Sequence, residues 1–322
     1  MNQEIIEYDI PGIMSCQLNR YPMLFIDKVT DCFPGVYAKG YKLFSYNEWF
    51  FHGYETKDPK VWNVIQIESM SQMFLMTFLT LKDYQGSIAM SNKFDNVNFY
   101  KKISPGDKLN LEAELKTFRR GIAKGFVRGF LNDDIACSME CTIIIPTFFD
   151  EIKGKFPVEK LKYNLSNEIQ PLLNFGIKEI KKCLLNNYPW LLIDKILNIQ
   201  VGKYVHAIKN FTYNESFFPS HFPDNPSVPG FIQIESCMQG FLMTFLSIED
   251  NNRKETADRK LDDVRVKRKI VPGETLDIFA FLDSFKRGVA IGRVESYVNG
   301  EPATSFKVTV IVPEIFNSFL PS

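Results

Sequence analysis

A histidine, a glycine and a glutamate follow one another in the second half of the sequence in an order suited to acid–base chemistry. His221 opens the run HFPDNPSVPG, which ends at Gly230 and leads straight into FIQIESCMQGFLMTFL. Glu235 lies inside that apolar stretch, fourteen residues after the histidine. The unperturbed pKa of histidine is near neutrality, so His221 can accept a proton at physiological pH. A carboxyl group set among apolar side chains holds its proton more readily than one in water and can act as an acid. Glycine at a helix start offers a backbone N–H with no partner inside the helix, at the positive end of the helix dipole, and lets a ligand come close. Pro223, Pro226 and Pro229 stiffen the turn that presents His221 and Phe222. A proton acceptor, a proton donor and a fixed N–H in one stretch are suited to general acid–base chemistry.

The elements that carry these residues occur twice. NRYPMLFIDKV at Asn19 recurs as NNYPWLLIDKI at Asn186, and IQIESMSQMFLMTFL at Ile65 recurs as IQIESCMQGFLMTFL at Ile232, both 167 positions apart. ISPGDKL at Ile103 matches IVPGETL at Ile270, and TFRRGIAKG at Thr117 matches SFKRGVAIG at Ser284, at the same offset. A single period of this kind marks two copies of one domain, over residues 1–146 and 174–322, joined by a Lys/Glu/Asn/Pro-rich linker at 147–173. In each copy a short leader precedes Tyr-Pro, and two β-rich runs follow. A Phe-Phe turn and an apolar helix come next, at about 64–81 and 232–248. Three or four strands with Pro-Gly turns close each copy, the second also with an Asn299-Gly300 turn. The helix is apolar nearly all round, so it must be buried. A buried helix covered by an antiparallel sheet is an α+β architecture.

Bulk properties narrow the function classes. The 322 residues, 45% of them hydrophobic, suffice for two packed domains. The chain has 38 basic and 38 acidic residues, so no net charge argues for nucleic acid or a membrane surface. The N-terminal MNQEIIEYDI lacks the pattern of a secretory signal, and Gln233, Glu235 and Gln239 interrupt the most apolar helix, so no membrane span is expected. Six cysteines without a Cys-x-x-Cys pair read as buried thiols of a cytoplasmic protein. Cys137 and Cys141 share a strand face but have no histidine cluster to complete a zinc site.

The second copy resembles the hot-dog-fold 3-hydroxyacyl-(acyl-carrier-protein) dehydratases of fatty acid synthesis. The resemblance rests on NNYPWLLIDKIL, NESFFPSHFPDNPSVPG, IESCMQ, VRVKRKIVPGETL and SFKRGVAIGRVESYVNG, and covers nearly all of 186–313. The first copy matches in its framework only. The family implies a central helix wrapped by an antiparallel sheet, acting as a dimer whose sites each take a histidine from one protomer and an acid from the other. Two fused copies then form a tandem double hot dog, a covalent version of that dimer. The implied reaction is dehydration of a (3R)-3-hydroxyacyl carrier-protein thioester to the trans-2-enoyl product, in fatty acid, polyketide or related lipid synthesis. No metal or organic cofactor is implied. The implied partner is an acyl carrier protein, with its substrate on phosphopantetheine. Further assembly of double units into a homo-oligomer is compatible with the sequence.

The copies differ where the chemistry sits. At the fixed offset His221 faces Tyr54, Gly230 faces Asn63 and Pro229 faces Trp62, whereas Glu235 faces Glu68 and Gln239 faces Gln72. The first copy keeps the acid and lacks the base and the glycine. If sites are shared across copies, one contains His221, Gly230 and Glu68, and the other contains Tyr54 and Glu235 and is spoiled. Phe222, Pro229, Gln72, Tyr54, Glu235 and Gln239 are candidates for substrate contact. Gln72 and Gln239 sit one helical turn after the glutamates, placed to orient the acid or to satisfy it. A solvent-facing loop residue is the plainer reading of His52. Arg265, Lys267, Arg268 and Lys269 form a basic cluster that is either a solvated strand face or a dock for an acidic carrier protein. Two competing readings are a hot-dog acyl thioesterase, which needs no His-Phe-Pro turn, and a non-catalytic acyl-binding protein.

Overall fold

The computed structural model describes residues 5–53, 56, 58–146, 173–222 and 224–320. Tyr54, Pro223 and nearly all of the linker lie outside the described residues. The chain forms two compact units. They follow the two repeats but for two short segments: Asn214–Phe231 of the second repeat belongs to unit 1, and His52–Lys57 of the first belongs to unit 2. His221 and Gly230 are therefore in the same unit as Glu68.

Unit 1 is built on seven antiparallel strands: β1 (Ile6–Tyr8), β2 (Lys28–Phe33), β3 (Tyr37–Leu43), β4 (Met90–Phe99), β5 (Lys108–Arg119), β6 (Ile122–Leu131) and β7 (Asp134–Ile144). Their order in the sheet is β1-β2-β3-β5-β6-β7-β4. In unit 2, β8 (Leu173–Phe175), β9 (Lys195–Gln200), β10 (Tyr204–Asn210), β11 (Ala257–Val266), β12 (Thr275–Lys286), β13 (Val289–Val298) and β14 (Glu301–Ile311) run β8-β9-β10-β12-β13-β14-β11, the same topology. Each sheet wraps one 17-residue helix, α2 (Asn63–Leu79) or α4 (Gly230–Leu246). Tandem hot-dog domains are the architecture that results.

The helices are sealed in because nearly every face of them is apolar. The sheets close over them through matched devices. Gly35 N–H donates to the Thr77 carbonyl at 2.7 Å, and its counterpart Gly202 donates to Thr244 at 2.8 Å. A register shift in β5 between Leu115 and Thr117 recurs in β12 between Leu282 and Ser284. Opposite each shift a glycine faces the helix. A Cβ on Gly125 would lie 2.0 Å from the Glu114 carbonyl oxygen and 2.5 Å from the Phe74 ring; on Gly292 it would lie 2.1 Å from the Phe281 oxygen and 2.5 Å from Phe241. Asn299 and Gly300 turn β13 into β14 with φ of 53° and 79°, the left-handed pair that a two-residue hairpin needs.

Three features depart from the sequence reading. The leaders fold as short helices, α1 (Ile10–Cys16) and α3 (Ile177–Cys183). Asp9 accepts from the Gly12 N–H at 3.0 Å and starts the first, while the backbone N–H of Gly176 donates to Glu179 at 3.1 Å and starts the second. The last residue assigned to the linker, Leu173, begins strand β8. The Phe-Phe turn of the first repeat is a 3-10 helix, Trp49–Gly53. All six cysteines are buried and free. No helix among the described residues is long and apolar enough to cross a membrane.

Gly125→Ala and Gly292→Ala should each cost about 1–3 kcal/mol or more, since the added methyl must displace strand backbone or helix ring. Urea denaturation checks this; unchanged midpoints would mean that helix and sheet are less tightly apposed at these positions.

Candidate active site

In unit 1 the helix α2 is buried from Val64 to Leu79 except at one residue, Glu68, which keeps partial exposure. The exception is informative because a carboxyl in an apolar helix is costly to bury, and partial exposure of this residue alone singles it out. Burial still pushes its pKa up to about 7, opposed by the hydrogen bond from Gln72. Gln72 is itself fully constrained. Its Oε1 accepts from the Phe25 N–H at 2.7 Å, and its Nε2 donates to the Met23 carbonyl at 2.8 Å and to Glu68 Oε1 at 2.8 Å. Both amide hydrogens are thus committed. With Oε1 of Glu68 accepting, the proton of the neutral acid resides on Oε2, which is free to present it.

His221 is half-buried in the turn. Its Nδ1 lies 2.9 Å from the Ser227 carbonyl oxygen. A carbonyl only accepts, so Nδ1 carries the hydrogen and Nε2 of the neutral ring holds the lone pair. The turn is fastened by Ser227 N–H to the His221 carbonyl at 2.9 Å, Asn225 N–H to Phe222 at 3.0 Å, and His221 N–H to Phe217 at 3.0 Å. The Phe222 ring stacks on the imidazole at 4.2 Å. Ser227, Val228 and Pro229 are buried and lead to Gly230, the first residue of α4, whose N–H has no carbonyl one turn earlier within the helix. The expected base, the expected amide donor and the expected acid thus belong to one compact unit.

The counterpart residues have other environments. Glu235 is 5% exposed in a helix that is buried from Phe231 to Leu246. Burial pushes its pKa up to about 8, opposed by the hydrogen bond from Gln239. Gln239 repeats the anchoring of Gln72: it accepts from Leu192 N–H at 2.8 Å and donates to the Trp190 carbonyl at 2.8 Å and to Glu235 at 2.9 Å. Trp62 and Asn63 stand where the second repeat has Pro-Gly. The Trp62 indole donates to the Phe50 carbonyl at 2.8 Å, and Asn63 accepts from Gln66 at 3.0 Å. His52 is exposed.

Two of the four residues of the basic cluster are engaged in local ion pairs. Arg265 pairs with Asp263 at 2.9 Å, and Arg268 with Glu274 at 2.7 Å and Glu301 at 3.3 Å. Burial lowers the pKa of Lys269. Lys267 is exposed and forms no ion pair among the described residues. No group of three or more metal-ligating side chains occurs among the described residues. The sequence missed the fastening residues Ser227, Met23 and Phe25, because backbone carbonyls and amides act there and leave no side-chain signature.

The FabA-like domain model matches residues 18–140 and again 184–307. The chain belongs to the FabA-like family. Among curated relatives, the 3-hydroxyacyl-(acyl-carrier-protein) dehydratase FabZ of Clostridioides difficile (strain 630) is 38% identical over 126 residues, spanning 39% of this chain and 89% of that protein. The FabZ of Acetivibrio thermocellus is 38% identical over 130 residues, 40% of this chain and 89% of its own length. Solved structures match across both repeats. The dehydratase domain of RzxB from Pseudomonas fluorescens aligns with a TM-score of 0.59 at 9% identity, over 91% of this chain and 99% of that one. The dehydratase domain from the CurJ module of Curacin polyketide synthase aligns with a TM-score of 0.56 at 12% identity, over 91% and 98%. The family match thus falls on each repeat, and the fold match on their tandem.

A buried acid also leaves a mark on stability. The unfolded chain ionises Glu235 above about its ordinary value of 4.5, while the folded chain holds it neutral up to about 8. The stability it contributes is present at low pH and is lost as pH rises through that window. Glu235→Gln, which cannot ionise, should therefore gain stability relative to the parent protein between pH 4.5 and 8 and level off above. Urea denaturation across the window measures the difference; parallel curves would show that Glu235 ionises freely in the folded state.

Proposed function

We propose that the protein is a dehydratase of (3R)-3-hydroxyacyl thioesters on acyl carrier protein, with one working site per chain. The observation that carries this reading is that Glu68, the one opening in a buried helix, shares its unit with His221 and Gly230, whereas Glu235 is sealed. The names of the curated relatives support the same reaction. His221 Nε2 takes the proton from C2 of the substrate. The C3–O bond breaks as Glu68 gives its proton to the departing hydroxyl, which leaves as water. The Gly230 N–H donates to the thioester carbonyl oxygen, on which negative charge builds as the C2 proton departs. The double bond forms between C2 and C3. The imidazolium and the carboxylate then exchange a proton through solvent, which restores both groups.

His221→Ala and Glu68→Gln should each lower kcat by roughly 100- to 10,000-fold, the range for a general base or acid, while Glu235→Gln stays near the parent rate. The assay is mass detection of water loss from 3-hydroxyacyl carrier proteins of several lengths. Release of free acid instead would indicate a thioesterase, and neither product an acyl-binding protein. Because Glu68 acts protonated, kcat should fall as pH rises past about 7. A rate still climbing through pH 8 would contradict its role as acid.

The carrier protein is the partner this reaction requires. Lys267 is the member of the basic cluster best placed to meet an acidic surface, since Arg265 and Arg268 are already paired. Lys267→Glu should raise KM for carrier-bound substrate and leave short thioester mimics unaffected. Equal effects on both substrates would reject a docking role.

A further inference from the structure

Unit 1 contains two aromatic residues in contact, Phe25 and Phe231, whose positions in the other repeat are aliphatic. Phe25 is 1% exposed and meets Phe50 at 6.2 Å and Phe231 at 5.6 Å, the latter edge-on at 86°. The backbone of Phe25 is the anchor of Gln72, which in turn holds Glu68. Phe231 directly follows Gly230 at the end of the His221 turn. A continuous set of contacts therefore runs from the acid through Gln72, Phe25 and Phe231 to the amide donor. At the offset of 167 the two rings become Leu192 and Val64. Gln239 and Glu235 are nonetheless held in the same way with Leu192 in the anchoring position. An aromatic ring is thus not required to hold the Gln–Glu pair, and the two rings of unit 1 need another explanation.

We propose that Phe25 and Phe231 are positioning residues whose edge-to-face contact sets the spacing between the His221–Gly230 turn and Glu68. The inference rests on the reading that these three groups act together. Edge-to-face pairs have a preferred geometry that aliphatic contacts lack. A rigid contact at this point limits how far the turn can drift from the acid, and errors of about 1 Å in such spacing cost up to roughly 100-fold in rate.

The test uses the full chain with Phe231→Val, Phe25→Leu and the double variant, each taking the residue of the other repeat, and Phe231→Met to preserve volume. For each, kcat, KM and Tm are measured on a 3-hydroxyacyl carrier protein beside His221→Ala. Each single variant should lower kcat by roughly 10- to 100-fold with KM little changed. The double variant should lose no more than the worse single, because both break one contact. Phe231→Met should keep Tm near that of the parent and still lose kcat. If kcat survives in all four while Tm falls, or if the single losses multiply, the rings are ordinary core and the inference fails. If His221→Ala itself stays active, the site reading fails first and takes the inference with it.

Discussion

A carboxyl group inside an apolar helix is the constraint around which the rest of this molecule is arranged. An unpaired polar group in such a place costs several kcal/mol. The chain answers with a glutamine one helical turn later, and the glutamine is oriented by the backbone. The N–H of Phe25 can only donate, so the Gln72 oxygen must face it; the NH2 group is then turned toward Met23 and Glu68. The acid accepts on one oxygen and keeps its proton on the other. The location of a proton is thereby decided by a loop between α1 and β2, through elementary donor and acceptor rules.

The same arrangement appears in both units, so it does not distinguish them. The difference lies in what surrounds the acid. Around Glu68 the helix is open at that residue, and the unit includes a turn with a fixed imidazole tautomer and a helix-initial glycine. Glu235 lies in a helix that is buried from Phe231 to Leu246. The Gln239–Glu235 pair of the second repeat is intact although the matching positions of the first repeat carry no histidine or glycine, because the pair also satisfies its own helix. Its persistence follows from the cost of an unpaired buried polar group as much as from chemistry.

Much of the fold was legible in the sequence. The 167-residue period, the all-round apolar helices and the Pro-Gly and Asn-Gly turns follow from local rules that act through side chains. The helices α1 and α3 and the strands β1 and β8 were not legible. They have seven and three residues, too few to show a period. At the site, His221, Glu68 and Gly230 stood out because their residue types are unusual for their surroundings. The Ser227 and Phe25 contacts did not, because a backbone carbonyl or amide is available at any residue. That a site would take its histidine from one repeat and its acid from the other was implied by the family resemblance, not by residue pattern, since periodicity cannot say which copy a turn packs against.

The measurement that bears most directly on the central claim is a crystal structure with a stable 3-hydroxyacyl pantetheine analogue bound. The account requires one ligand per chain, with C2 facing Nε2 of His221, the C3 hydroxyl on Glu68 and the carbonyl oxygen on the Gly230 amide. A ligand seated against Glu235, or one per repeat, would contradict it.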